Sequence, residues 1–159
     1  MFEPHGPPDL QRSARRQLAA ALFNYAWALL ETPRRTREQD DEMIHAAHAA
    51  RYHWGETGEA VKRARGEWLC SRVYASLDRS EPALYHAERC LGIVESLRPE
   101  QRRDWDVAAA LEALARAHAV AGDRNAALTW KARAATAASA ISGRVDREDI
   151  EQDIETLPV

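Results

Sequence analysis

The chain has 159 residues, of which 45% are hydrophobic and 30% are charged, and its formal net charge at pH 7 is −3. This length suits one domain with a continuous core, and the composition is that of a globular rather than a disordered protein. The slightly acidic balance argues against a nucleic-acid partner, because nucleic-acid binding normally needs a concentrated basic surface.

The N-terminal residues 1–8 are rich in proline and glycine and lack periodicity, so we predict a disordered arm followed by one helical domain over residues 9–159. The most apolar run, residues 18–30, is shorter than the roughly 20 residues that span a bilayer. It contains Asn24 and is not followed by a small-residue cleavage site. We interpret it as a core helix and expect a cytoplasmic protein without a membrane partner.

Apolar residues recur at helical spacing along the whole chain, alanine is abundant and no segment shows strand alternation, which predicts an all-α fold. Helix starts are marked by a capping box at Thr36 and Gln39, by Ser80 ahead of Pro82, and by Asp123 after a glycine. Further candidate N-caps are Thr57, Asp104 and Asp146. The predicted helices span residues 9–31, 36–54, 57–77, 80–97, 104–121, 123–141 and 146–156.

The chain resembles itself at an offset of 44 residues, which aligns the segment 70–91 with the segment 114–135. The same step backwards aligns the first helix pair more weakly. Three helix pairs followed by one terminal helix are the consequence. Matched positions include Arg72 with Arg116, Ala83 with Ala127, and Cys90 with Ala134.

The order of residues in the third pair resembles the tetratricopeptide repeat family. The positions that carry the resemblance are Leu111, Leu114, His118, Gly122, Ala127 and Ala134. The second pair fits less fully, because Glu67 stands at the family's usual tryptophan position and Asp78 at its turn glycine. The resemblance covers roughly residues 18–141, with a longer step than the family's 34 residues. It implies a short right-handed α-solenoid of three antiparallel helix pairs, closed by a polar capping helix.

Small residues inside these helices predict close packing. Gly66 costs a helix about 1 kcal/mol relative to alanine, which close approach of a neighbouring helix would explain. Cys70 and Cys90 are the only cysteines, and the repeat register predicts that both are buried and reduced.

The resemblance also implies a partner-binding surface on the concave side, formed by the first helix of each pair. Arginines at equivalent places in the second and third pairs would bind a carboxylate by bidentate pairing, with Trp68 as a flat apolar contact. The alternative is that Arg72 and Arg116 pair with Glu67 or Glu112 on a solvated face. The candidate positions are Asn24, Arg65, Trp68, Arg72, Glu112 and Arg116.

Three histidines between residues 45 and 53 raise the question of a metal site. Asp41, His45 and His48 share one helical face and could ligate an ion, although zinc usually takes four ligands. The repeat register instead places His45 on a basic, solvent-facing stripe and His53 in the core, and leaves His48 unplaced.

Catalytic motifs are missing from the sequence: there is no glycine-rich phosphate loop, no nucleophile elbow and no zinc-protease helix motif. No carboxylate is marked as buried by its sequence context. Trp130 aligns with polar positions, which predicts partial exposure and suggests a homodimer contact.

The sequence therefore predicts a non-enzymatic, cofactor-free bacterial interaction module that binds a protein or peptide, with a carboxylate as one possible feature of the ligand. Two alternatives stay open. One is a regulatory or sensor domain for a signalling peptide or small ligand, which would need a closed pocket. The other is a small metal-binding protein that uses Asp41, His45 and His48.

Overall fold

The computed structural model describes residues 10–159, so the predicted arm at residues 1–8 lies outside the described part. The described chain is 80% helical and contains no strands, which confirms the all-α fold. The seven helices are α1 (Arg12–Glu31), α2 (Arg37–Glu56), α3 (Ala60–Ser76), α4 (Ser80–Ser96), α5 (Asp106–Val120), α6 (Arg124–Ser139) and α7 (Arg144–Glu155). A short 3-10 turn, Pro99–Gln101, precedes α5.

Two of the predicted helix starts are confirmed in detail. Thr36 and Gln39 form a complete capping box, in which each side chain accepts a hydrogen bond from the other residue's backbone N–H. Asp123 caps α6 by accepting a hydrogen bond from the backbone of Ala126 at 3.0 Å. These side chains satisfy backbone donors that have no partner within the helix.

The other predicted caps are wrong because their side chains find different partners or lie inside the helix. The Thr57 hydroxyl donates to the carbonyl of Trp54 at 2.7 Å and so closes α2 rather than opening α3. Asp104 accepts two hydrogen bonds from Ser142, on the connection between α6 and α7. Ser80 and Asp146 are helical residues in the first turns of α4 and α7.

Consecutive helices pack as the pairs α1–α2, α3–α4 and α5–α6, in a solenoid-like arrangement. The turn within each pair contains one residue with a positive φ angle: Arg34 at 52°, Asp78 at 55° and Gly122 at 80°. Successive residues of this set are 44 positions apart, so the repeat step predicted from the sequence recurs in the backbone. The right-handed sense of the solenoid stays a prediction.

The first helices of the pairs contact one another, α1 with α3 and α3 with α5, and α7 packs on α5 and α6. Ile150, Ile154 and Leu157 bury the apolar side of α7, while its carboxylates lie elsewhere, as expected for a capping helix. The first helices therefore form a continuous layer that α7 closes at one end.

Gly66 of α3 packs against the backbone of α2. A Cβ atom at this position would lie 2.8 Å from Cα of Arg51, which confirms the predicted close packing. Cys70 and Cys90 are buried and free, as predicted.

Candidate functional site

A cavity of about 430 Å³ opens on the layer formed by the first helices and α7. Aromatic rings form a large part of its wall, and Phe23 and Trp27 of α1 pack there against Trp68 of α3. The ring centroids of Trp27 and Trp68 are 5.6 Å apart, and those of Phe23 and Trp68 are 6.4 Å apart, both in stacked orientations. Trp54 and Trp105 complete the lining, so four of the five tryptophans of the chain meet here.

Three of the six residues predicted for the partner-binding surface line this cavity, namely Asn24, Arg65 and Trp68. The other three, Arg72, Glu112 and Arg116, lie beside it in an ion-pair cluster. The repeat register thus placed all six on the first helices, but it could not separate the cavity from the cluster.

Arg65 forms an ion pair within the chain. Its guanidinium donates to both carboxylate oxygens of Asp106, at 2.9 and 3.0 Å, and Asp106 is only 3% exposed. The guanidinium carbon also lies 4.4 Å from the ring centroid of Trp105. The carboxylate holds this arginine flat against the cavity wall, so the charge of Arg65 is matched within the chain.

Arg72 and Arg116 are matched in the same way. Buried Glu112 accepts hydrogen bonds from Arg72 Nη1 at 3.1 Å and from Arg116 Nε at 2.7 Å. Asp153 of α7 accepts from Arg72 Nη2 at 2.8 Å, and its backbone carbonyl accepts from Arg116. Burial raises the pKa of Glu112, against the opposing effect of the two arginines. The arginines therefore pair with Glu112, as in the alternative, but not on a solvated face, because Glu112 is buried.

Three polar groups around the cavity lack a partner among the described residues. The Lys62 ammonium forms no ion pair and lies 5.6 Å from the ring centroid of Trp54. The Asn24 side chain is exposed and makes no hydrogen bond in residues 10–159. The Nε1 atom of Trp68 is buried without an acceptor. An apolar ligand with one negatively charged or accepting group would complement Lys62 and Asn24, whereas Nε1 of Trp68 is enclosed.

Sequence reasoning missed several residues of the cavity, notably Trp27, Lys62, Trp105 and Asp153. The usable signal was the number of tryptophans between residues 27 and 105, of which the predicted surface included only Trp68. It also missed that three carboxylates are buried, because arginines more than 15 residues away neutralise each of them. They are Glu67, Asp106 and Glu112.

Glu67 is 1% exposed and stands at a position where the resemblance would place an aromatic residue. It accepts hydrogen bonds from Arg51 Nε at 2.8 Å, His86 Nδ1 at 2.6 Å and Arg89 Nε at 3.3 Å. Burial opposes its ionisation, but the hydrogen bonds from His86 and Arg51 outweigh that effect and lower the pKa of Glu67 to about 2. The hydrogen bonds of the ionised Glu67 carboxylate therefore connect α3 to both α2 and α4.

Of the register's predictions for the histidines of α2, solvent exposure is confirmed for His45, but the core position predicted for His53 is wrong, because its ring lies beside the Arg15 guanidinium at the edge of the core. His45 is exposed, and His53 is half-buried with Nδ1 at 3.2 Å from Arg15 Nη1. His48 turns towards α3 and α4, where its Nε2 lies 2.9 Å from the hydroxyl of Tyr74. Asp41 is exposed, and the structure does not bring Asp41, His45 and His48 together at metal-binding distance.

Trp130 lies outside the cavity and is half-buried, with the Arg133 guanidinium carbon 4.6 Å from its ring centroid. This agrees with the predicted partial exposure, and the homodimer contact stays a prediction.

No helix in residues 10–159 has the length and apolar character needed to cross a membrane. No protein-family model, curated protein or solved structure matches the chain.

Proposed function

We propose that this protein is a non-enzymatic interaction module of tetratricopeptide-like architecture. It seats a large apolar side chain of a partner peptide in the aromatic cavity and pairs a neighbouring carboxylate with Lys62. The observation that carries the proposal is the convergence of four of the five tryptophans on one cavity. Tryptophan is among the residues that contribute most to binding energy at interfaces, especially where a pocket excludes water.

The volume of the cavity supports a peptide side chain as its occupant. At about 430 Å³ it lies within the range of roughly 300–1,000 Å³ that is typical of ligand pockets. Its walls come from α1, α3, α5 and α7, so an extended segment can run across the first helices while one side chain enters the cavity. Main-chain groups of that segment would stay near solvent, where Asn24 can bond them.

Lys62, rather than one of the arginines, is the residue that would bind a carboxylate of the partner. Arg65, Arg72 and Arg116 already pair with buried or half-buried carboxylates. Displacing such a carboxylate would leave a charge uncompensated in a poorly solvated site, at a cost of several kcal/mol. Lys62 has no such partner in residues 10–159 and is half-buried at the cavity wall.

A peptide library displayed against the immobilised full chain tests the proposal, with affinities measured by tryptophan fluorescence. We expect enriched peptides to carry an aromatic or large aliphatic side chain next to an acidic residue. Lys62→Glu should weaken their binding about 10–100-fold, the loss typical of one charged hydrogen bond. Lys131→Glu, an equal charge change on α6 away from the cavity, should leave the affinity unchanged.

A second variant tests the role of the cavity independently of the Lys62 contact. Asn24→Trp fills the mouth of the cavity from an exposed position and should abolish capture without disturbing the core. Failure to enrich any consensus would overturn the proposal. So would a consensus whose affinity is insensitive to both Lys62→Glu and Asn24→Trp.

A sensor or regulatory domain for a small ligand is the second candidate, and the cavity volume of about 430 Å³ favours it, because pockets of roughly 300–1,000 Å³ hold whole small molecules. Thermal shift with a series of aromatic carboxylic acids separates the two candidates. Stabilisation of the wild type but not of Asn24→Trp, without any peptide consensus, would support the sensor.

A further inference from the structure

Three side chains of metal-ligating type meet on the far side of α3 from the aromatic cavity. They come from three helices: His48 from α2, Cys70 from α3 and His86 from α4. One ligand atom from each lies within 4.8 Å of the other two, and no other such group of three occurs in residues 10–159. The two imidazole centroids are 5.2 Å apart with their planes at 67°.

The fold itself does not require this trio. One repeat step later, the same three places at the next helix interface are occupied by Gly92, Leu114 and Trp130. None of these residues offers a metal ligand, yet α4, α5 and α6 pack there in the same way. The ligating character is therefore specific to the interface between the first and second pairs.

Glu67 orients His86 as a ligand. The carboxylate of Glu67 is ionised and can only accept, so Nδ1 of His86 donates to it at 2.6 Å. That bond leaves the lone pair of His86 Nε2 free. A histidine fixed by a carboxylate through its other nitrogen is the usual arrangement around bound zinc.

We propose that His48, Cys70 and His86 bind one thiophilic divalent metal ion, Zn²⁺ by preference, through two imidazole nitrogens and the Cys70 thiolate. Because His48 and His86 are half-buried, solvent can supply the fourth ligand. This site is separate from the aromatic cavity, and the proposal does not depend on the proposed function.

The chemistry of the donors selects the class of metal. Two imidazoles and a thiolate suit zinc and softer transition metals, whereas magnesium and calcium prefer oxygen ligands. Zinc bonds of about 2.0–2.3 Å would bring the ligand atoms to within about 4 Å of one another, so the side chains must move closer than the present limit of 4.8 Å. If His48 binds through Nε2, the metal replaces the 2.9 Å hydrogen bond between that atom and the Tyr74 hydroxyl.

Binding also requires the Cys70 thiol to release its proton to solvent. Burial raises the pKa of the Cys70 thiol to about 12, so the metal must displace a proton that the free protein holds firmly. The negative charge of Glu67 is already matched by Arg51 and Arg89. The thiolate would therefore supply one of the two negative charges that the ion needs, and a solvent ligand bound as hydroxide, with its proton released to solvent, would supply the other.

Titration of the metal-stripped full chain with Co²⁺ tests the proposal, because a thiolate bound to cobalt gives a sulfur-to-metal charge-transfer absorption. We expect one ion per chain, an intense visible spectrum typical of four-coordinate cobalt, and displacement by Zn²⁺. Cys70→Ala and His48→Gln should each weaken Co²⁺ binding by more than about 100-fold, beyond the loss caused by disturbing an outer partner.

Two variants serve as matched controls. Cys90→Ala removes the other buried thiol, and His45→Ala removes an exposed histidine of the same helix as His48. Both should bind Co²⁺ like the wild type. A folded wild type without the charge-transfer band at saturating Co²⁺ would overturn the proposal, as would a band that persists in Cys70→Ala or disappears in His45→Ala. If Cys70→Ala does not fold, wild-type affinity in His48→Gln is the overturning result.

Discussion

Replacing Gly66 with alanine should change the stability of the protein through two opposing effects, a gain in helix propensity and a steric overlap with α2. Alanine is favoured over glycine by about 1 kcal/mol in a helix interior, so the substitution would stabilise α3 if the space were open. The space is not open. The new Cβ would lie 2.8 Å from Cα and 2.9 Å from Cβ of Arg51, where ordinary carbon contacts are about 3.5–4.0 Å.

The obstacle at Gly66 is backbone, so α2 and α3 must move apart to accommodate the methyl group. Overpacking of this kind costs about 1–3 kcal/mol. Gly92, in α4, provides the matched control because a Cβ there would meet nothing within 4 Å. Both substitutions gain the same helix propensity, so the difference between their free energies of unfolding isolates the overlap. We expect Gly92→Ala to stabilise by about 1 kcal/mol and Gly66→Ala to be less stable than Gly92→Ala by about 1–3 kcal/mol.

Urea denaturation followed by circular dichroism measures both values, and an unchanged m-value confirms that the folded state is the same. In thermal unfolding, each kcal/mol corresponds to about 2–4 °C for a chain of this length. If Gly66→Ala proved as stabilising as Gly92→Ala, the reasoning that close approach of α2 requires glycine would be refuted.

Two further predictions concern charge and turn geometry. Glu67 has a folded pKa of about 2 against an ordinary value of 4.5, so it contributes about 3 kcal/mol of stability above pH 4.5 that is lost as the pH falls towards 2. Glu67→Gln should therefore flatten the decline of stability below pH 4.5, measured by urea denaturation in the presence of chelator; an equally steep decline would contradict this assignment. Asp78→Gly should raise the free energy of unfolding by about 1 kcal/mol, because Asp78 adopts a left-handed φ of 55° that glycine accepts without strain. Gly122→Ala should lower it by a similar amount, and a stabilising effect there would contradict the repeat assignment.

The sequence predicts the helices and turns well because their determinants are local. Apolar spacing, the capping box at Thr36 and the glycine–aspartate step at Gly122 all act within a few residues. The 44-residue step adds longer-range information, since it indicated a turn at Asp78 even though the usual glycine is missing there.

The partners of polar side chains could not be predicted in the same way. The repeat register predicts which face of α3 carries Arg72. It does not predict that Arg72 bonds the carboxylate of Asp153, which lies 81 positions away on α7. The histidines show the same limit. Local spacing groups His48 with residues of its own helix, whereas packing directs it towards side chains of α3 and α4, beside Tyr74 and His86.

The left-handed turns have a consequence for how the length of the protein can change. In the second and third pairs, the left-handed residue is followed at once by the residue that precedes the next helix: Asp78 by Arg79, and Gly122 by Asp123. Removing residues 79–122 would join Asp78 directly to Asp123, so that α3 would turn into α6 with the same backbone conformation and a stronger helix cap. A step of 44 residues is therefore the change in length that keeps the turn conformation at the junction, although it would also remove Asp106 and Glu112, the carboxylates that pair with Arg65 and Arg72 of α3.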